Sequence, residues 1–254
     1  MGLPKGRTGT SELAETPLKF DPLDPAMAER RAVARKRLDA IDPAKQPGAE
    51  GDPRRREWFE AVYALAEGDP ANVPWGNMIA HPLLTEWLAR NPRLDGLRAL
   101  DIGCGLGDNA AALAGQGAQV TAFDLVPRAA EWAQHRFPDS DIVFCAADLF
   151  SPPAEWLGAF DFVHETYTLQ AFPAEVLDTA QKNIAGFVKP GGRLLVITRA
   201  RDDQQDFDGP PWPLTRKNLE SFAGHGLTLL TLEDAPPTVT PNRHWRALFR
   251  KNGG

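Results

Sequence analysis

Cysteine is nearly absent from this chain: Cys104 and Cys145 are the two copies in 254 residues. Two thiols so placed give neither a disulfide framework nor a metal-ligand spacing, so no metal is expected and each cysteine reads as a small packing residue. Long apolar runs are missing as well. No segment approaches the roughly 18 continuous apolar residues of a membrane span, and the N-terminus has no signal-peptide core, so a cytoplasmic protein without a membrane partner is expected. An excess of positive charge is the third absence, with 28 Lys and Arg against 34 Asp and Glu, a net charge of −6 and a pI near 5.4. Nucleic acid therefore has no basic surface to meet. The one dense basic run, Arg54-Arg55-Arg56 beside Glu57, reads as a solvated face. What the chain does have is enough apolar content for a full core, 43%, in a length that suits one domain with an appendage, as a monomer or homodimer.

The most informative stretch is 99–107, Ala-Leu-Asp-Ile-Gly-Cys-Gly-Leu-Gly. Residues 97–102 form an apolar run that reads as a buried parallel strand. Gly103, Gly105 and Gly107 then let the backbone turn tightly and approach a ligand with no Cβ in the way. The helix predicted over 108–114 points its positive end at the same place. In a dinucleotide-binding turn the third glycine falls one position later, where this chain has Asp108, which argues against a nicotinamide or flavin cofactor.

Polar groups recur at the ends of the next strands. A strand over 118–123 ends in Asp124, which is placed to accept both hydroxyls of a ribose. A strand over 141–145 is followed by Asp148, where an adenine amino group would be accepted. A strand over 159–163, with Asp161 near its start, delivers His164, Glu165, Thr166 and Tyr167 to the same rim. In an open parallel sheet, ligands bind beyond the carboxyl ends of the strands, so this ordered series is the signature of a site.

Residues 97–200 resemble the core of the class I S-adenosylmethionine-dependent methyltransferases. Asp101, Gly103, Gly105 and Gly107 match that family's first motif, Asp124 its ribose-binding acid, Asp148 its adenine-binding acid, and Lys189-Pro190-Gly191-Gly192 the turn before its fifth strand. The resemblance implies S-adenosylmethionine as methyl donor, S-adenosylhomocysteine as product, and a small-molecule acceptor. It also implies a Rossmann-like α/β fold, a seven-stranded, mostly parallel sheet with an antiparallel last strand and helices on both faces. Leu125, Leu149, Glu165 and Trp75 join the acids and glycines as expected cofactor contacts.

The remaining elements suit that plan. A helix over 175–188 places Val176, Leu177, Ala180, Ile184 and Phe187 on one face, and a strand follows over 192–198. Thr215 is placed to cap a helix through Phe222, ended by Gly224 and Gly226. Strands over 227–232 and 244–249 close the sheet, joined by a proline-rich connector over 235–241. Residues 1–56 read as an N-terminal extension, with 1–25 extended or disordered and one amphipathic helix over 25–41 carrying Met27, Ala34, Leu38 and Ile41 on one side. A Pro/Gly-rich linker follows. Residues 57–254 form the methyltransferase domain, with 57–96 as lid or entry helices and 97–254 as the core. The helix over 56–67 carries an apolar stripe of Trp58, Phe59, Val62, Tyr63 and Ala66, which either packs on the domain or roofs the donor.

Two further stretches, Val73-Pro74-Trp75-Gly76 and Asp208-Gly209-Pro210-Pro211-Trp212, are similar to elements of thiopurine methyltransferases and related thiol and halide methyltransferases. That branch implies a sulfur nucleophile as acceptor, with Trp75 against the cofactor and the Trp212 loop walling the acceptor pocket; Tyr167, expected there from its place after the fourth strand, lies in a stretch, His164-Glu165-Thr166-Tyr167, that differs from the branch. Gly76, Asn77 and Met78 depart from the branch, which has an acid and soon a glycine there. A sulfonium methyl is already activated, so transfer requires mainly an oriented nucleophile and a dry site. A thiol, with a pKa of about 8.5, needs little help, whereas a phenol or ammonium must first lose a proton. Glu165, Tyr167 and His164, in that order, are the groups that could take it, and the alternation of side chains along a strand brings only some of them to the pocket. His164 reads first as a satisfied structural histidine, and His81 as the cap of the helix that starts at Pro82. Nitrogen or oxygen acceptors remain open, as does a non-catalytic binder of S-adenosylmethionine or S-adenosylhomocysteine. Such a binder would bury Trp75 against Trp212.

Overall fold

Short apolar strands that alternate with helices have one economical solution, a parallel sheet joined by crossover helices and buried on both faces. The computed structural model describes residues 25–46, 52–207, 209–237 and 240–253, and it adopts that solution. Its strands are β1 (Arg98–Ile102), β2 (Gln119–Asp124), β3 (Val143–Ala146), β4 (Phe160–Thr166), β5 (Val188–Arg199), β6 (Leu227–Ala235) and β7 (His244–Lys251). They form one sheet in the order β3-β2-β1-β4-β5-β7-β6. The pairs β3–β2, β2–β1, β1–β4 and β4–β5 are parallel, while β7 runs antiparallel to both β5 and β6. Because β7 is reversed, its first residue lies at the carboxyl edge of the parallel strands, where Arg199 pairs with His244.

Strand alternation divides the core. Leu100, Ile102, Val163, Leu194, Val196 and Phe249 face one layer, which is closed by Leu177, Ala180, Ile184 and Phe187 of α6 (Ala174–Phe187). Ala99, Phe162, Leu195, Ile197 and Leu248 face the other, against α3 (Pro82–Arg90) and α4 (Asp108–Gly115). A third cluster belongs to the N-terminal part. Leu38 of α1 (Pro25–Ala40) and Trp58, Val62, Tyr63 and Ala66 of α2 (Arg56–Ala66) pack on Leu106 and on Val126 and Ala129 at the start of α5 (Pro127–Arg136).

The expected elements are present, with several corrections. The fourth strand runs three residues past its predicted end, so His164 and Glu165 lie inside β4 rather than beyond it. Asp161 lies at the opposite edge, where it accepts from the Arg98 amide at 3.0 Å and pairs with Lys189. Lys189-Pro190-Gly191-Gly192 is absorbed into the irregular start of β5, where the register shifts, instead of preceding the strand. Thr215 caps its helix through a reciprocal capping box with Asn218, but α7 (Arg216–Glu220) is short and passes into a 3-10 turn at Ser221–His225. Met27, Ala34 and Leu38 are buried as expected, whereas Ile41 lies past the end of α1 and is 46% exposed.

The largest correction concerns the basic run. Arg55 is buried, paired with buried Asp42 and stacked 4.0 Å above the Trp58 ring. Arg56 and Arg54 reach Asp148 at 2.8 and 3.4 Å. Arg55 is thus an internal strut, while Arg54 and Arg56 stay partly exposed and use their head groups on Asp148. The predicted disorder over 1–25 falls, up to residue 24, outside the described residues, as does Asp208. Among the described residues no helix is long and apolar enough to cross a membrane.

Candidate active site

The turn between β1 and α4 is built on left-handed glycines. Gly103, Gly105 and Gly107 have φ of +63°, +53° and +88°, a region costly for residues with a Cβ. Space also demands glycine at two of them. A Cβ at Gly103 would lie 2.4 Å from the Thr168 hydroxyl, and one at Gly107 would lie 2.9 Å from the Phe144 ring. Asp124, at the end of β2, holds this turn in shape. One of its oxygens accepts from the Gly105 amide and the other from the Val126 amide, both at 3.0 Å. Burial pushes its pKa up, and the amides, including that of Leu125, oppose the shift.

On the neighbouring strands, Asp101 and His164 form a buried cross-strand pair, with Nδ1 of the ring 2.7 Å from Oδ1. The other ring nitrogen meets the Thr166 hydroxyl at 2.9 Å, so both nitrogens of His164 are engaged within the sheet. Glu165 points elsewhere. One of its oxygens accepts from the amides of Thr168 and Leu169, at 2.9 and 3.3 Å, and fixes the turn that follows β4. The two remaining oxygens, Asp101 Oδ2 and Glu165 Oε1, are buried with no hydrogen-bond partner among the described residues. Burial, reinforced by the charge of Asp101, raises the Glu165 pKa to about 8, although the two amides pull it down.

The N-terminal helices cover this turn. Trp75 donates to the Tyr63 hydroxyl at 2.9 Å, and both side chains lie 3.5 Å from where a Cβ at Gly105 would be. The ring neighbours of Trp75 are Trp58, Phe59 and Tyr63. Trp212 is elsewhere: it packs tightly on Gly209, and its amide donates to the Gln170 carbonyl at 2.7 Å. Among the described residues Trp75 and Trp212 make no ring contact, so the pairing expected of a non-catalytic binder is not formed. Asp148 uses one oxygen on the Phe150 amide and offers the other to Arg56 and Arg54. The Leu149 side chain is drawn into the core below, while Leu125 stays half-buried at the rim.

Tyr167 lies on the far side of this edge. Its φ of +70° is unusual for a residue with a side chain, and its amide is tied to the Ile197 carbonyl at 3.1 Å. The phenol oxygen meets His81 Nε2 at 2.9 Å and His244 Nε2 at 2.7 Å. His81 caps α3 as expected, accepting from the Leu83 amide at Nδ1. Its pKa is lowered to about 3 by burial and by the nearby His244 and His164. Sequence reasoning overlooked His244, Arg199 and the Arg54–Asp148–Arg56 cluster. For His244 a signal existed: a closing antiparallel strand that starts at a histidine must place it at the functional edge.

A methyltransferase-domain family model matches residues 75–234. Among curated proteins, a ubiquinone biosynthesis O-methyltransferase of Xylella fastidiosa is 36% identical over 125 residues, covering 46% of this chain and 48% of its own. A sterol 4-C-methyltransferase of Caenorhabditis elegans is 31% identical over 134 residues, with 51% and 39% covered. The chain spans about half the length, or less, of these relatives. Among solved structures, the 1,6-didemethyltoxoflavin-N1-methyltransferase of Burkholderia thailandensis, determined with S-adenosylhomocysteine, superposes with a TM-score of 0.63 at 19% identity, covering 82% of this chain and 93% of that one. With more than half of its length matched by the family model and this strand order, the chain belongs to the methyltransferase-domain family and has the class I S-adenosylmethionine-dependent methyltransferase fold.

Proposed function

We propose that the protein transfers the methyl group of S-adenosylmethionine to a small-molecule nucleophile. One observation carries this reading: at the ends of two adjacent strands, Asp101 Oδ2 and Glu165 Oε1 are buried with no hydrogen-bond partner among the described residues, next to the turn of left-handed glycines. Buried polar atoms left unpaired cost free energy, and a cationic ammonium such as the donor's amino-acid end would relieve both. The residues therefore fit the group. Gly103, Gly105 and Gly107 give the donor a close backbone approach, Asp101 and Glu165 receive its charged end, Asp124 its ribose and Asp148 its adenine. Leu125, Leu149 and Trp75 supply the apolar surround. When bound, the sulfonium supplies an activated methyl. The chain's part is to orient the acceptor and exclude water, with α2 and Trp75 as the roof.

Trp212 and Tyr167 are the acceptor-side groups. Two features bear on the acceptor atom: the similarity of Gly209-Pro210-Pro211-Trp212, with Trp212 half-buried at that loop, to thiol and halide methyltransferases supports sulfur, whereas the Tyr167 hydroxyl held between His81 and His244 supports oxygen. The two curated relatives are an O-methyltransferase and a 4-C-methyltransferase. The deciding experiment is S-adenosylhomocysteine release against thiols, phenols, amines and iodide, with calorimetry of S-adenosylhomocysteine binding alongside. Binding with turnover of at least one class is the expected result. A chain that does not bind S-adenosylhomocysteine would overturn the proposal.

A further inference from the structure

The three residues His81, Tyr167 and His244 come from the head of α3, the turn after β4 and the start of β7, yet they meet at one phenol oxygen. Their hydrogen bonds have a single consistent direction. The Leu83 amide donates to His81 Nδ1 at 3.2 Å, so the neutral ring carries its proton on Nε2 and donates it to Tyr167. Tyr167 has then filled one acceptor position and gives its own proton to His244 Nε2. His244 Nδ1 in turn donates to the Asn242 carbonyl at 2.7 Å and to the Thr240 hydroxyl at 2.9 Å. Thr240 accepts there because its own proton goes to Asn242 at 2.8 Å. His81 cannot take up a further proton without losing its cap, whereas His244 Nε2 is a bare acceptor already facing a proton.

Arg199 completes the cluster. It pairs with His244 across β5 and β7, its charge acts on both Tyr167 and His244, and its Nε is buried with no partner among the described residues. The groups facing the pair are thus His81 from α3, His164 behind it in β4, Arg199 from β5, and Thr240 with the Asn242 carbonyl from the segment before β7. Burial holds Tyr167 at about 12 and keeps it un-ionised, and burial also lowers His244, so at neutral pH the cluster is an uncharged chain beside one cation.

We infer that Tyr167 and His244 form a proton relay for the acceptor and that the acceptor is a weakly acidic hydroxyl compound of the phenol or enol class. This rests on the methyl-transfer reading above. The acceptor hydroxyl donates to the remaining lone pair of Tyr167. As its oxygen forms the new bond to carbon, the pair of the broken carbon–sulfur bond goes to sulfur. The acceptor's proton moves to the Tyr167 oxygen, and the Tyr167 proton moves to His244 Nε2. The imidazolium keeps its Nδ1 bonds and later releases the Nε2 proton to water, while Arg199 attends the negative charge developing on oxygen. A thiolate would need none of this.

The test uses the whole chain, labelled with 15N in the histidine rings and 13C in the tyrosines, of which there are only two. At pH 7.5 we expect a neutral His244 protonated on Nδ1, and a shift of the Tyr167 signal in H244Q. Para-substituted phenols of graded acidity and thiophenol then serve as methyl acceptors. H244Q should lose about 100-fold or more in kcat on weakly acidic phenols, the usual contribution of proton transfer, and little on para-nitrophenol, which ionises by itself. Binding of S-adenosylhomocysteine should stay within about twofold. Finding His244 cationic or protonated on Nε2, an equal loss for every phenol, or turnover confined to thiols would overturn the relay. Should none of the probes react, the tautomer result decides. Failure of the wild-type chain to bind S-adenosylhomocysteine would instead overturn the methyl-transfer reading.

Discussion

Arg56, at the head of α2, donates to Asp148 at 2.8 Å, so the helical cover is fastened to the residue assigned to the donor's adenine. Both partners are partly exposed, with side chains 39% and 18% accessible, and a pair of that kind contributes about 0.2–1 kcal/mol. Arg56→Ala should therefore leave the urea midpoint nearly unchanged. It removes the shorter of the two arginine contacts on the Asp148 oxygen, leaving Arg54 at 3.4 Å, and loosens the cover, so association of S-adenosylhomocysteine followed by tryptophan fluorescence should be several-fold faster. Added salt should bring the wild type toward the variant, because screening weakens the same pair. Slower association in Arg56→Ala would mean that the arginine recruits the ligand.

Asp42 and Arg55 are a different kind of pair, buried on both sides and enclosed by Trp58. Removing one member leaves an uncompensated charge in the interior, at a cost of about 3–5 kcal/mol. Asp42→Asn should lower the unfolding free energy by that order in urea titration. Asp42→Asn with Arg55→Met should recover a good part of it, since the double change removes both charges. Equal losses in the single and double variants would show that the packing of the arginine stem, rather than its charge, is what matters.

Much of this architecture was legible because it is written locally. The apolar runs of β1, β2 and β5 alternate sides every residue, the stripe Leu177-Ala180-Ile184 repeats every turn, and the three glycines of the turn after β1 hold a left-handed φ, two of them also in a space that a Cβ would overfill. What stayed hidden depends on separation in sequence. Arg56 meets Asp148 across 92 positions, Tyr167 meets His244 across 77, and Asp42 lies in a stretch whose Pro and Gly content reads as a linker. A charged residue looks the same in sequence whether it ends in water or opposite a buried partner. Its partner is chosen by strand order, which local composition does not encode.

Asp124 bears the strongest assignment on the donor side and allows a direct check. Its oxygens accept from the Gly105 and Val126 amides, with the Leu125 amide also acting on the carboxylate, and two oxygens with about four lone-pair sites leave room for a ribose hydroxyl without dismantling the turn. Asp124→Ala should weaken S-adenosylhomocysteine binding by about 1.5–3 kcal/mol in calorimetry, the scale of hydrogen bonds to a charged group. The variant also loses the tether on Gly105. Asp124→Asn, which retains one acceptor oxygen, should fall between the variant and the wild type. Unchanged affinity in both would remove Asp124 from the site.

Glu165 ties the protonation state of the site to its occupancy. In the folded chain its pKa is about 8, against 4.5 for an ordinary glutamate, so the folded state binds a proton more tightly than the unfolded state does. The stability linked to that proton is fully present below 4.5, and it is lost as pH rises through about 8. Glu165→Gln, which cannot ionise, should flatten this part of the stability–pH curve measured by urea titration at a series of pH values. Occupancy reverses the preference, because a cationic ammonium beside Glu165 and Asp101 favours the ionised carboxylate. Binding of S-adenosylhomocysteine at pH 7 should therefore release a proton. Calorimetry in buffers of different ionisation enthalpy should show that release in the wild type and little of it in Glu165→Gln. If release is the same in both, the ammonium lies away from Glu165 and the buried carboxyl serves only to brace the turn at Thr168 and Leu169.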